Sequence, residues 1–329
     1  MRKPGSIPLH AVVAVLLTAA ALAPGALLAQ AYPRAPVKIL VALAAGSQVD
    51  ILARLLAPKM SEAWGQPVIV ENRPGGAGAV AGGILVQSPP DGYTLMMYSD
   101  GHAVNAAFNA AALPYDTLRD IARVSLVASM PSVLVVAPAL GVKSAQELIA
   151  LAKAKPGQMS FGSAGIGGGL HFSGELFKQA AGIEAVHIPY KGTAEALADT
   201  LTGRVQFMFA SPGPALPHIK SGRLIALAVG SLERSPVFSD VPTLAESALP
   251  GFQYELWQGL FAPARTPRAV VEQINREVAR IVALPDVAEM LRKQSLVHRP
   301  NTPEEFDRFV RAEIEKLSNV VRLAGIKPE

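Results

Sequence analysis

The residues best placed for chemistry are glycines and hydroxyls more than acids and bases. Ser163-Ala164-Gly165-Ile166-Gly167-Gly168-Gly169 lies between the short run Met159-Ser160-Phe161 and an amphipathic stretch over residues 170–180. A glycine turn between a strand and a helix presents backbone N–H groups that have no internal partner, and the helix dipole adds positive potential there, so the place favours an anion. The glycines let the backbone approach a ligand closely, and Ser163 adds a hydroxyl donor. One such terminus contributes ~0.3–1 kcal/mol when exposed and up to ~2 kcal/mol when partly buried, so several must converge to hold a ligand. Ala44-Ala45-Gly46-Ser47-Gln48-Val49-Asp50 follows another strand-like run in the same manner, with Asp50 placed to cap the helix that begins there.

Bond-making chemistry finds less support. Gly76-x-Gly78-x-x-Ala81 loosely matches a dinucleotide fingerprint, but a Pro-Gly turn separates it from the preceding strand, and it reads better as the opening of a small-residue helix. Ser163 lacks the glycine two positions earlier that a nucleophile elbow requires. The six histidines are dispersed without ligand-pair spacing, and no cysteine is present. That removes a thiolate nucleophile, a Cys-ligated metal, a disulfide framework and a cysteine-anchored lipoprotein. Neither a metal nor a cofactor is expected, and the chain reads as a binder and not as an enzyme.

The elements that must position these turns alternate. Strand-like runs at 37–41, 67–70 and 93–98 are separated by helical spacing from residue 50 and by a small-residue helix over 78–87. The pattern repeats with strands at 132–137, 159–161, 186–190, 205–209 and 224–229, and helices at 145–154, 170–180 and 195–201. Two amphipathic helices at 267–284 and 303–323 close the chain. Such alternation implies mostly parallel or mixed sheets covered by helices. The 329 residues suit one large or two medium domains. Extended segments at 126–129 and 254–257 could carry the chain out and back as a two-strand hinge with a cleft between the lobes. The expected division is 1–31 as a signal peptide, 32–128 with 255–329 as lobe 1, and 129–254 as lobe 2.

Composition agrees with an exported protein that does not bind nucleic acid. Half the residues are hydrophobic and 17% are charged, which excludes a disordered chain. Met1-Arg2-Lys3, an apolar run over 11–23, Pro24-Gly25 and Ala29-Gln30-Ala31 form a secretory signal with cleavage before Tyr32. The apolar run is shorter than the about 20 residues a membrane span needs. Removing Arg2 and Lys3 takes the formal charge from +4 to +2, and the remaining basic residues are scattered among acids.

A set of motifs in order identifies a family. It comprises Asp50-Ile51-Leu52-Ala53-Arg54, Val70-Glu71-Asn72-Arg73-Pro74-Gly75, Pro90-Asp91-Gly92-Tyr93-Thr94-Leu95, Leu113-Pro114-Tyr115-Asp116, His187-Ile188-Pro189-Tyr190-Lys191-Gly192, Asp240-Val241-Pro242-Thr243 and Gly259-Leu260-Phe261-Ala262-Pro263. The chain resembles the Bug-type solute receptors of tripartite tricarboxylate transporters over residues 32–329. The resemblance implies an α/β, two-lobed, type II periplasmic-binding-protein-like fold that closes on a small carboxylate, as a monomer. It implies delivery to membrane permease subunits, or a sensor protein as partner in place of a permease.

Residue roles follow from that resemblance. The loop at 163–169, with Ser163, Ala164, Gly165, Gly168 and Gly169, matches the one that grips the ligand's near carboxylate. The loop with Ala44, Gly46, Ser47 and Asp50 matches the one facing the far end, although Ala42, Ala45 and Ser47 replace prolines and a glycine usual there. Ser99, Gly101 and His102 end the third strand, where Asp100 and His102 depart from the family's small and hydroxyl residues. A carboxylate at an anion site repels the ligand. Either Asp100 points away, or the ligand brings a cationic or donor group; His102 is a donor or a solvated loop residue. Ala210 and Ser211 stand where amino-acid-binding members carry an aspartate, which argues for a non-amino acid ligand. Tyr190 caps the cleft or touches the ligand.

Overall fold

The computed structural model describes residues 32–326; the signal peptide expected over 1–31 lies outside them. The chain divides into residues 1–34 and a body of 35–329, and the body carries every element below.

The strands are β1 (Val37–Val41), β2 (Val68–Asn72), β3 (Thr94–Ser99), β4 (Ile121–Pro131), β5 (Val133–Val136), β6 (Met159–Ser163), β7 (Ala185–Pro189), β8 (Phe207–Ala210), β9 (Ile225–Val229) and β10 (Glu255–Pro263). The helices are α1 (Gln48–Trp64), α2 (Ala79–Gln87), α3 (Gly101–Phe108), α4 (Thr117–Asp120), α5 (Ala145–Ala154), α6 (Gly169–Ala181), α7 (Thr193–Leu201), α8 (Pro212–Lys220), α9 (Leu244–Ser247), α10 (Arg268–Val282), α11 (Pro285–Lys293) and α12 (Pro303–Ala324). They build an α/β fold of two lobes around two five-stranded sheets, ordered β2-β1-β3-β10-β4 and β7-β6-β8-β5-β9. The two sheets share one plan. Three parallel strands (β2-β1-β3, β7-β6-β8) are followed by two strands that run antiparallel to their neighbours.

Several elements exceed the sequence reading, among them the β4–β10 ladder and the helices α3, α8 and α11. β4 and β10 pair antiparallel from Ile121↔Pro263 to Pro131↔Glu255, a longer ladder than the hinge segments expected. β4 therefore runs to Pro131, past the boundary expected at 128. Arg123, Ser125, Ser129 and Gln258 are buried within this ladder and interrupt its apolar pattern. Residues 101–108 form a helix that the sequence reading did not place. α8 forms despite Pro212, Pro214 and Pro217: proline in the first turn removes no N–H that the helix would use, and only Pro217 stands further inside.

Helices cover the sheets through apolar stripes. α10 buries Val271, Ile274, Val278 and Ile281, and α12 buries Phe306, Val310, Leu317 and Val320. Thr302 and Glu305 start α12 with a reciprocal capping box, and Pro303 opens it. Phe306 packs against Trp257 and Phe261 of β10, which joins α12 to the middle of the first sheet.

Candidate functional site

Every candidate segment sits at the C-terminal end of a parallel strand or just beyond it. The loops 42–47, 100, 164–168, 190–192 and 211 follow β1, β3, β6, β7 and β8, and each leads into a helix. In open α/β sheets that edge is where ligands lie. Four of these five helix N-termini lack a side-chain cap: Asp100, Gly168, Gly192 and Ser211 precede α3, α6, α7 and α8 without a capping hydrogen bond. By contrast Ser144, Thr243 and Thr302 cap α5, α9 and α12. Uncapped termini leave N–H groups without an internal partner. The two edges meet. Phe108, at the end of α3, lies edge-to-face on Phe172 of α6 at 6.0 Å between centroids, and a Cβ on Gly169 would come within 2.0 Å of Asp100 Oδ2.

The loop after β1 is held by an ionic brace. Asp50 is 3% exposed. Its carboxylate accepts from Gly46 N at 2.9 Å, Arg54 Nε at 3.0 Å and Asn72 Nδ2 at 2.9 Å. Burial opposes the ionised form, but hydrogen bonds from Arg54, Gly46 and Asn72 outweigh it and keep the carboxyl below its ordinary 3.8. Asn72 Nδ2 also reaches Leu43 O at 3.2 Å, so β2's last residue fixes the loop's path. Ser47 caps α1 by accepting from Asp50 N at 3.3 Å. Ala44 and Gly46 remain exposed. Asp50 thus shapes the loop, with its acceptors taken, and does not cap α1 itself.

The loop after β6 is held without a net charge. Ser163 is fully buried, and its hydroxyl donates to Gly165 O at 2.8 Å. Ser163 Oγ also lies in hydrogen-bond contact with His187 Nε2 at 2.7 Å, the imidazole's tautomer setting the direction. The hydroxyl is thus engaged within its own lobe and does not stand free as the donor expected of Ser163. Gly167 N donates to His171 Nδ1 at 3.2 Å, and the two imidazoles stack at 3.8 Å. Burial and then the neighbouring charges push His171 down to about 3, and burial with Lys178 pushes His187 down to about 4. Both are neutral at neutral pH. Ala164 and Gly168 are exposed; Gly165 and Gly169 are half-buried. Among the described residues no group of three His, Cys, Asp or Glu side chains is placed to hold a metal.

The remaining candidates divide. His102 is 2% exposed inside α3, its ring 4.2 Å from that of Phe261, so it is neither a solvated loop residue nor a donor at the edge. Tyr190 gives its hydroxyl to Asp199 at 2.8 Å within its own lobe. Ala210 is fully buried, whereas Ser211 is half-buried and among the described residues its hydroxyl makes no hydrogen bond. Ser99 accepts from Gly101 N at 3.2 Å. Asp100 does not point away: it is 7% exposed, accepts from Tyr254 Oη at 3.2 Å and lies against Gly169. Sequence reasoning missed Arg54, Asn72, His171, His187 and Tyr254. The paired motifs around Asp50-x-x-x-Arg54 and Glu71-Asn72-Arg73 held the signal for the first two. A separate cavity of about 620 Å³ lies between α6 and α12, lined by Gln179, Phe252, Phe309, Glu313 and Lys316 among others, and includes none of these loops.

Residues 52–326 match the family described as the tripartite tricarboxylate transporter family receptor. Protein BugT of Bordetella pertussis is 34% identical over 97% of this chain and 98% of its own length. An R. palustris protein solved with adipate is 32% identical, with a TM-score of 0.75 over 91% of this chain and 100% of that one. MatC from Rhodopseudomonas palustris with bound malate is 31% identical, with a TM-score of 0.71 over 88% of this chain and 100% of that one.

Proposed function

We propose that this chain, which belongs to the tripartite tricarboxylate transporter family of receptors, captures a small non-amino carboxylate between its two lobes in the periplasm and hands it to membrane permease subunits. The chain is a solute-binding receptor and not an enzyme. One observation carries the reading of the ligand: uncapped helix N-termini from both sheets gather at facing strand ends, with the exposed Gly168 and the unpaired hydroxyl of Ser211 among them. Donors of this kind hold an anion while offering it no proton-transfer partner. The buried Ala210 leaves no acid at that point to pair with an amine. Ile166, 39% exposed at the tip of the glycine loop, offers an apolar wall to a ligand body. Relatives with adipate and with malate support the ligand class.

A thermal-shift screen against mono- and dicarboxylates tests the reading. A ligand at 100 times its Kd stabilises by about 2.7 kcal/mol, a rise of roughly 5–11 °C for domains of this size. Glutamate and aspartate should give no shift. A response to amino acids with none to plain acids would overturn the proposal.

A further inference from the structure

We propose that Asp100 is a specificity residue of this site: a carboxylate docks at the N-terminus of α6 only when Asp100 carries a proton, so that ligand and proton bind together. The inference rests on the function just proposed and adds the ligand's required partner. Asp100 and Ser211 hold matching places, each following the third parallel strand of its sheet and each preceding a helix it does not cap. In the second lobe that place offers a free hydroxyl. In the first it offers a carboxyl group turned across the lobe boundary onto Gly169. Any anion drawn to the N–H groups of α6 therefore arrives beside a second carboxyl, and two ionised carboxylates sharing a site with little water repel strongly.

The surroundings decide which form yields. Donors face Asp100 from Tyr254 Oη, Ser99 and Gly101 N. Glu313 of α12 faces it as a like charge, itself paired with Lys316. Tyr98 stands behind it in β3. From α6 it meets the backbone of Gly169; of that helix's titratable groups, His171 is stacked on His187 and Glu175 is paired with Lys178. Burial first, and Glu313 as well, push the carboxyl up to about 7 against the pull of its donors. A proton is thus available near neutral pH. Once bound, Asp100 becomes a donor to the incoming acid, and the acid's charge holds that proton in place.

Calorimetry with adipate and malate at pH 6 and pH 8 tests this on the wild-type protein, Asp100→Asn and Asp100→Ser. Affinity scales with the protonated fraction, so the wild type should bind about tenfold more weakly at pH 8, and repeating the measurement in two buffers should show uptake of a proton. Both variants, neutral at every pH, should bind alike at the two values. Wild-type affinity that is flat with pH, or an undiminished pH slope in the variants, overturns the inference alone. No binding of either acid by any of the three proteins overturns the function reading and this inference with it. Independently of ligand, the carboxyl ¹³C resonance lost in Asp100→Asn should titrate near pH 7, and a midpoint below pH 5 overturns the inference.

Discussion

The loop after β1 and the loop after β6 occupy the same place in their two sheets, and they are braced by opposite chemistry. Each follows the central strand of a parallel trio. Each has a glycine N–H that donates to the third residue of the next helix, four positions on: Gly46 to Asp50, Gly167 to His171. Each brace is completed from the neighbouring edge strand, by Asn72 of β2 or His187 of β7. One turn further along the helix stands a residue of opposite sign to the other lobe's: Arg54 beside Asp50, Glu175 beside His171. One frame is therefore held by an ionised carboxylate in the first lobe and by neutral imidazoles in the second. The geometry of the glycine turn is what the fold conserves between lobes; the charge that fixes it is free to differ.

Among the substitutions, cutting the ionic brace should cost most. Asp50→Ala strips charge-assisted hydrogen bonds from Gly46, Arg54 and Asn72, and such bonds contribute about 1.5–3 kcal/mol each when a partner is left bare. Arg54 is half exposed and recovers water, so about 2–3 kcal/mol in urea denaturation is expected. His171→Asn, which loses one neutral bond and a ring stack, should cost about 1–2 kcal/mol. Equal losses would dissolve the contrast between the braces.

Acid should separate the lobes next. His171 and His187 sit below the ordinary 6.5 when folded, so the unfolded chain binds more protons, and stability falls as pH drops from 6.5 towards 4. Asp50 is also held below its ordinary value, but its contribution is intact above 3.8 and is lost only as pH falls through that range. Each proton taken up on unfolding adds a slope of about 1.4 kcal/mol per pH unit. Between pH 6.5 and 4 the slope should shrink in His171→Asn and persist in Asp50→Asn. A slope unchanged in the histidine variant would mean that the stacked pair is not the acid-sensitive element.

The turns were legible in the sequence because strand, glycine and helix follow one another along the chain. The braces were not. Asn72 lies 22 residues from Asp50, and His187 lies 24 from Ser163; only the pairing of β1 with β2 and of β6 with β7 brings them together. α3 escaped because Asp100-Gly101-His102 reads as a loop when no side chain caps the helix. α8, which holds Pro212, Pro214 and Pro217, was not read as a helix. The role assigned to Ser163 rested on a free hydroxyl, and partners in the same lobe, Gly165 O and His187, engage it. A hydroxyl's availability is a property of tertiary neighbours, which spacing does not report.

The smallest effect tests whether the turns themselves are equivalent. Gly46 and Gly167 have φ of 79° and 75°, the left-handed region that an L side chain enters at a cost of roughly 1–2 kcal/mol. Alanine at either should therefore lose similar stability through the backbone alone. The surroundings differ: a Cβ at Gly46 meets nothing within 4 Å, whereas at Gly167 it comes within 3.1 Å of the Phe108 ring across the lobe boundary. The ring lies on the edge of Phe172 and can turn aside, so the added loss should be only a few tenths of a kcal/mol. That small difference should depend on Phe108. In a Phe108→Leu background the two alanine substitutions should cost the same, and a double-mutant cycle reads the coupling directly. A Gly167→Ala loss that stays larger without the ring would show that the second turn is strained by its own brace, and the equivalence of the two loops would then stop at their hydrogen bonds.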